Sequence, residues 1–204
     1  MLIFMQFFCK TIFDKKVSRK FRQQQRRKNM ADDGRAVLMV IPADGFREEE
    51  YKAARQALEK SGVKVVTAST VRQGALGYKG TTVDPEVLID EVNPDDYAGV
   101  VFIGGHGSSQ YWHDYKAHEI IRAYAKSGKF IAANDRAPVA LAVAGILPGK
   151  NVTGHNSIFE KLSNAGAKYT GRKVERDGNI ITGEGPNAIS LYADELAKAF
   201  KSKA

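Results

Sequence analysis

Short apolar runs alternate with amphipathic segments along the chain from residue 36 onwards. Runs that suit strands buried on both faces lie at residues 36–42, 63–68, 99–103 and 130–133. Segments with helical spacing of apolar residues lie at 46–61, 114–127, 158–165 and 187–201, and glycines follow the first three. This alternation, with its short connections, predicts an α/β doubly wound fold in which helices flank a mainly parallel sheet on both faces.

Two stretches depart from the alternation. Residues 78–83 are rich in Thr and Gly, which predicts a small β-hairpin excursion. Residues 172–175 and 179–182 flank Asp177 and Gly178, a pair that strongly favours a hairpin turn. We find no internal repeat and no linker in this part of the chain, so we expect residues 35–204 to form a single domain.

The tightest predicted connection joins the strand 130–133 to the helix 139–144. Pro138 suits the first turn of that helix, because an N–H is not needed there, and Gly145 ends it. A turn this short at the carboxyl end of a parallel strand holds one side chain in the crevice where such sheets bind ligands. We predict that this side chain is Asp135, since Asp tolerates positive φ better than most residues. The alternative is that Asp135 only caps the helix.

The net charge of +8 belongs to the N-terminal extension. Residues 1–30 contain nine Lys or Arg and one acid, whereas the rest of the chain holds 22 basic and 22 acidic residues. We therefore expect residues 1–34 to be a basic, disordered leader, and no nucleic-acid binding by the domain itself. A transit peptide, or a basic arm that contacts membrane or nucleic acid, is the alternative for this extension. No apolar run is long enough to span a membrane, and the only cysteine is Cys9.

Several polar residues are candidates for chemistry. Glu50 shares a helical stripe with apolar residues, and a carboxylate that faces the sheet needs a partner unless it reaches water at the rim. The acids Glu48 and Glu49 are explained by the helix dipole alone. Gly104 and Gly105 follow a buried strand, so their N–H groups could approach the oxygen of a small anion.

The histidines give weaker signals. His155 follows the short strand 152–153, either as a base at a strand end or as an ordinary loop residue. His106, His113 and His118 do not share a helical face, and no thiolate assists them, so we predict no metal site and no cofactor. We expect Tyr111, Trp112 and Tyr115 to serve packing or a dimer surface.

In chain order, the motifs DGFREEEY, VVFIGGHG, FIAANDRAPVALAVAGIL, VTGHN and ITGEGP resemble the ThiJ/PfpI family. These are flavodoxin-like proteins related to class I glutamine amidotransferase domains, and the resemblance covers about residues 35–201. It implies a nucleophilic cysteine at the position of Asp135, held by a glutamate that matches Glu50, with a histidine in some branches that matches His155. It also implies glyoxalase, deglycase or peptidase activity, or a chaperone or redox-sensing role, and a dimer or larger assembly.

The chain departs from the family pattern at the nucleophile. Asp135 occupies the cysteine position, Arg136 follows it, and Ala137 stands where many members have glycine. A carboxylate is a far weaker nucleophile than a thiolate and cannot form a thiohemiacetal or a thioester. We therefore predict that cysteine-dependent glyoxalase, deglycase and peptidase activities are absent.

Two functions remain open at this point. The first is a pseudoenzyme whose ionised Asp135 and protonated Glu50 resemble the oxidised, sulfinate form of the family's cysteine. It would bind a small polar molecule with the help of Gly104, Gly105, His106 and Arg136, or act in stress response or protein interaction. The alternative is a hydrolase or lyase that uses Asp135, Glu50 and His155 as acid and base, or Asp135 as nucleophile. In either case we expect a homodimer or higher homo-oligomer in the cytoplasm, or in an organelle if the leader is a transit peptide.

Overall fold

A computed structural model describes residues 36–201 of the chain, and the expected leader lies outside these residues. The strands of the described part are β1 (Val37–Val40), β2 (Asp44–Phe46), β3 (Val65–Ser69), β4 (Ala75–Gly77), β5 (Thr82–Val83), β6 (Val87–Leu88), β7 (Gly99–Phe102), β8 (Phe130–Asn134), β9 (Asn151–Val152), β10 (Lys168–Tyr169), β11 (Val174–Asp177) and β12 (Ile180–Gly183). Its α-helices are α1 (Glu48–Lys60), α2 (Tyr115–Ser127), α3 (Pro138–Val143), α4 (Phe159–Asn164) and α5 (Ile189–Lys201).

Seven of these strands form the central sheet, in the order β11-β12-β8-β7-β1-β3-β6. All neighbouring pairs are parallel except β11 and β12, which form an antiparallel hairpin at one edge. β1 lies near the middle and is fully buried, as its unbroken apolar run requires. The predicted doubly wound α/β fold with a mainly parallel sheet is confirmed.

Each face of the sheet packs against its own set of helices. Along β1, Leu38 and Val40 join the apolar core that contains residues of α2, α3 and α4, and Val37 and Met39 join the core that contains residues of α1 and α5. This division follows from the two-residue side-chain period of a strand, which sends alternate residues to opposite faces.

Some predicted boundaries were wrong. Helix α1 begins at Glu48 after Arg47 rather than at residue 46, because Asp44–Phe46 pairs as strand β2 with β4. The hairpin excursion consists of β4 and β5, joined by the turn at 78–81, instead of lying within residues 78–83. The sequence pattern also missed the edge strand β6 and the strand β10, and it placed β9 one residue late, at 152–153.

The parallel strands bring three loops to one edge of the sheet. Gly104 follows β7, Asp135 follows β8, and Gly185 follows β12, and these strands are adjacent in the sheet. The first turn of α1 lies at the same edge, because the Arg47 N–H donates to the Gly104 carbonyl (3.1 Å). This is the crevice in which open α/β sheets bind ligands. Within residues 36–201, no helix combines the length and apolar character needed to cross a membrane.

Candidate functional site

Asp135 forms the turn between β8 and α3. Its φ is 54°, and it is the only non-glycine residue with positive φ among residues 36–201. Two backbone hydrogen bonds hold the turn: the Asp135 N–H donates to the Gly183 carbonyl (3.0 Å), and the His155 N–H donates to the Asp135 carbonyl (2.8 Å). The predicted elbow and its positive φ are therefore confirmed.

The side chain of Asp135 does not cap the helix. The N-cap position of α3 is occupied by Ala137, which makes no side-chain cap bond. The Asp135 side chain points instead toward the loop after β7, where its Oδ2 accepts a hydrogen bond from the Gly105 N–H (2.7 Å). Since Asp135 is only 1% exposed, this carboxylate is part of the protein interior.

The glycine pair allows this close approach. A methyl group on Gly104 would come within 2.4 Å of Asp135 Cβ and 2.7 Å of the Asn134 carbonyl oxygen. The Gly104 N–H donates to Asn134 Oδ1 (3.1 Å), and Gly105 has a φ of 108° that suits glycine. Both N–H groups that the sequence suggested for a ligand oxygen thus bind side chains of the elbow itself.

Glu50 lies against the elbow from the first turn of α1. Its side chain is fully buried, and a methyl group on Gly104 would lie 2.8 Å from Glu50 Oε2. The alternative that Glu50 reaches water at the rim is excluded by this burial. Among residues 36–201, no N–H or O–H group donates a hydrogen bond to either oxygen of Glu50 or to Asp135 Oδ1.

One arginine faces both acids. Arg47 Nε lies 3.6 Å from Glu50 Oε1 and 4.0 Å from Asp135 Oδ2, and this nitrogen is itself buried. Two carboxyl groups beside a single guanidinium would carry a net negative charge if both were ionised. A buried cluster is more stable when neutral, so this arrangement favours one proton on the acid pair.

Glu50 is the acid that holds this proton. Burial, and then the negative charge of Asp135, raise the pKa of Glu50 from 4.5 to about 8. The Arg47 guanidinium and the nearby Asn134 side chain lower the pKa of Glu50, but by less than burial and Asp135 raise it. The Asn134 amide makes no hydrogen bond to Glu50. A protonated Glu50 would supply the donor that Asp135 Oδ1 otherwise lacks.

The hairpin turn at 78–81 covers the outer side of Arg47. The centre of the Tyr78 ring lies 5.4 Å from the guanidinium carbon of Arg47 and 6.3 Å from the centre of the His106 ring, which it meets edge to face. Tyr78 and His106 are both exposed, so they form a rim around the buried acids. Cation–π contacts of this kind help to hold an arginine in one orientation.

Glu48 fixes this hairpin, and the expectation that Glu48 only complements the helix dipole was wrong. Its side chain is buried, and Oε1 accepts hydrogen bonds from the N–H groups of Lys79 (2.6 Å) and Thr81 (3.3 Å). Glu49 forms an ion pair with the Lys79 ammonium. Glu48 and Glu49 therefore attach the hairpin turn to the first turn of α1, whereas Glu50 faces the elbow.

Two other predicted site residues, His155 and Arg136, contact the site through their backbone rather than their side chains. The backbone of His155 contacts Asp135, but its Nδ1 faces Ser157 Oγ (2.8 Å) and accepts from the Ser157 N–H (3.2 Å). Arg136 contributes its carbonyl to the Trp112 indole N–H (3.2 Å). Arg136 follows Asp135 in the sequence and was expected to help bind a ligand, but the cation that faces Asp135 in the structure is Arg47.

The aromatic and histidine cluster divides between core and surface. Tyr111 is buried and donates its hydroxyl to the Ile41 carbonyl (2.6 Å), and the buried His118 ring contacts the Tyr111 carbonyl (3.1 Å). Tyr115 is 76% exposed. Residues 36–201 contain no group of three or more His, Cys, Asp or Glu side chains placed to hold a metal ion.

Sequence reasoning missed three contributors to the site. Arg47 could have been found, because it lies three residues before Glu50 and so reaches the same side of a helix start. Asn134 and Tyr192 gave no such signal. The Tyr192 hydroxyl is buried without a hydrogen-bond partner among the described residues, and burial together with the charge of Glu50 raises its pKa well above the usual value.

Comparisons with known proteins agree on one family. The model of the DJ-1/PfpI family matches residues 35–199. The uncharacterized protein MJ0967 of Methanocaldococcus jannaschii is 38% identical over 180 residues, which are 87% of this chain and 87% of that protein. The deglycase PYRAB04690 of Pyrococcus abyssi is 29% identical over 164 residues, 80% of this chain and 99% of that protein. The crystal structure of a ThiJ/PfpI domain protein from Brachyspira murdochii superposes with a TM-score of 0.80 at 26% identity, covering 83% of this chain and 98% of that one.

Proposed function

The chain belongs to the DJ-1/PfpI family, and from that premise we propose that it is a member without cysteine-dependent catalysis. In this proposal Asp135 stands where the family's reactive cysteine would be, and the site binds a small cation or a polar molecule that donates hydrogen bonds. The observation that carries the proposal is the Gly105 N–H, which donates to Asp135 Oδ2 at 2.7 Å. A backbone donor of the kind that could stabilise a substrate's oxyanion is bound to the protein's own carboxylate.

The chemistry of the acid pair supports a binding role. Asp135 and Glu50 share one proton beside Arg47, which gives a neutral buried cluster that resembles an oxidised cysteine held by a protonated glutamate. No N–H group of the described residues donates to Asp135 Oδ1, so a ligand that carries N–H groups would complement this oxygen by replacing the Glu50 proton as its donor.

The lack of a thiol argues against the activity of the named relatives. The Pyrococcus abyssi relative is named a deglycase, and the resemblance implies that such activity requires a thiolate. Residues 36–201 contain no cysteine, since Cys9 is the only one in the chain. His155, the base of the acid–base alternative, directs its ring nitrogen to Ser157 rather than to Asp135. The geometry therefore favours the binding protein over that alternative.

Methylglyoxal consumption tests the proposal. We expect the wild-type protein to consume methylglyoxal no faster than the Asp135→Ala variant, because neither has a nucleophile that forms the thiohemiacetal. Thermal-shift titration with methylguanidine should stabilise the wild-type protein, and the Asp135→Asn variant should lose that shift. Turnover by the wild type that disappears in Asp135→Ala would overturn the proposal.

A further inference from the structure

A second concave surface lies on the other face of the sheet from α1. This groove has a volume of about 390 Å³ and is lined by eight residues. They come from the end of the 3-10 helix His106–Trp112 and the residue after it, from α3, and from α4 and the residue after it. Its floor consists of Val139 and Ala142, which are almost fully buried, and Val143 at its edge is 48% exposed. The volume lies in the range of cavities that hold small organic molecules, toward the lower end.

The charge in the groove is one-sided. The Lys161 ammonium lies 5.4 Å from the centre of the Trp112 ring, and none of the eight described residues that line the groove is Asp or Glu. Lys161 forms no ion pair with a carboxylate of residues 36–201, and the exposed His113 adds a second basic side chain. A cation at the mouth of an apolar groove complements a molecule with an apolar body and one anionic end.

Trp112 is held in place from behind. Its indole N–H donates to the carbonyl of Arg136 (3.2 Å), so the ring plane that Lys161 faces is fixed to the elbow backbone. A rigid aromatic wall loses little conformational entropy when a ligand packs on it. Trp112 is also the only tryptophan of the chain, so its fluorescence reports on this groove alone.

We propose that this groove binds a small amphipathic carboxylate. The carboxylate pairs with Lys161 at the mouth, and the apolar body lies between Trp112 and the surface of Val139, Ala142 and Val143. The site does not use Asp135, Glu50 or Arg47, so it adds a second binding function to the one proposed above.

Titration of Trp112 fluorescence with hydrocinnamate tests the inference. We expect a saturable change in emission with a dissociation constant of about 10⁻⁴ M, the affinity of a small ligand that makes one ion pair and buries one ring. Hydrocinnamyl alcohol, which has the same ring but no charge, and propionate, which has the charge but no ring, should both bind at least about tenfold more weakly.

Three variants separate the site from unspecific effects. Lys161→Glu should abolish the hydrocinnamate response, whereas Lys52→Glu, the same charge change on the exposed side of α1, should preserve it. Val143→Asp places a negative charge at an exposed edge position, so it should weaken binding without preventing folding. Equal responses to acid and alcohol, or an unchanged response in Lys161→Glu, would overturn the proposal. An emission that depends on protein concentration but not on hydrocinnamate would also overturn it, because a second copy of the chain would then cover the groove.

Discussion

Replacing Glu50 by Gln should remove a pH-dependent cost of folding. The pKa of Glu50 is raised from 4.5 to about 8 by burial and by the charge of Asp135. Between these two values the folded protein keeps a proton that the unfolded chain has released. The free energy of unfolding must therefore fall as the pH rises, by about 1.4 kcal/mol per pH unit.

The total effect is large for a single side chain. Over the interval from 4.5 to about 8 the loss amounts to roughly 5 kcal/mol, and it ends above that interval because both states are then ionised. Gln has no proton to lose and nearly the same shape as the neutral acid. We expect the two proteins to differ little near pH 5, and Glu50→Gln to be the more stable by several kcal/mol near pH 9.

Urea denaturation at pH values from 5 to 9 measures this difference. The histidines and other acids titrate in both proteins, so subtracting one stability curve from the other isolates Glu50. The exposed Glu160 provides the control, and Glu160→Gln should follow the wild-type curve. Parallel curves for the wild type and Glu50→Gln across the whole range would refute the protonated Glu50.

Three further substitutions probe the surroundings of the site and the core beneath it by urea denaturation at neutral pH. Gly104→Ala should cost about 2 kcal/mol or more, because a methyl group there meets backbone at 2.7 Å. Glu48→Ala should cost about 3 kcal/mol, because it leaves the N–H groups of the hairpin turn unpaired; Glu48→Gln, which retains an acceptor, should lose only about a third of that. Tyr111→Phe should cost about 1 to 2 kcal/mol, since the buried Ile41 carbonyl loses its donor.

Much of the fold followed from local pattern. The apolar runs predicted the strands of the central sheet, and the glycines that end helices predicted the helices that flank it. Fully buried strands and helix ends have strong local signatures. Pro138 and Gly145 placed α3 correctly, with Gly145 at a φ of 80°. The hairpin β4–β5 and the edge strand β6 were displaced or missed, since two- and three-residue strands depend on their partners more than on their own sequence.

The candidate site was predicted only where its residues had a local signature in the sequence. Asp135 and Glu50 each carried a local anomaly, a short turn and a charge on an apolar stripe, and the structure brings both to one place. The buried role of Glu48 and the contact between Arg47 and Asp135 join segments that are distant in the sequence, and spacing along the chain does not encode such contacts. The basic leader, the domain boundary at residue 35, the homo-oligomer and the cytoplasmic location stay predictions.

The most direct test of the account is the substitution Asp135→Cys, made in a Cys9→Ser background so that the new thiol is the only one. If a carboxylate occupies the nucleophile position of an otherwise intact site, the variant should react with iodoacetamide at neutral pH and consume methylglyoxal, while the Cys9→Ser parent does neither. The contradicting result is a thiol that stays inert in the folded protein, or a parent that already consumes methylglyoxal at the same rate.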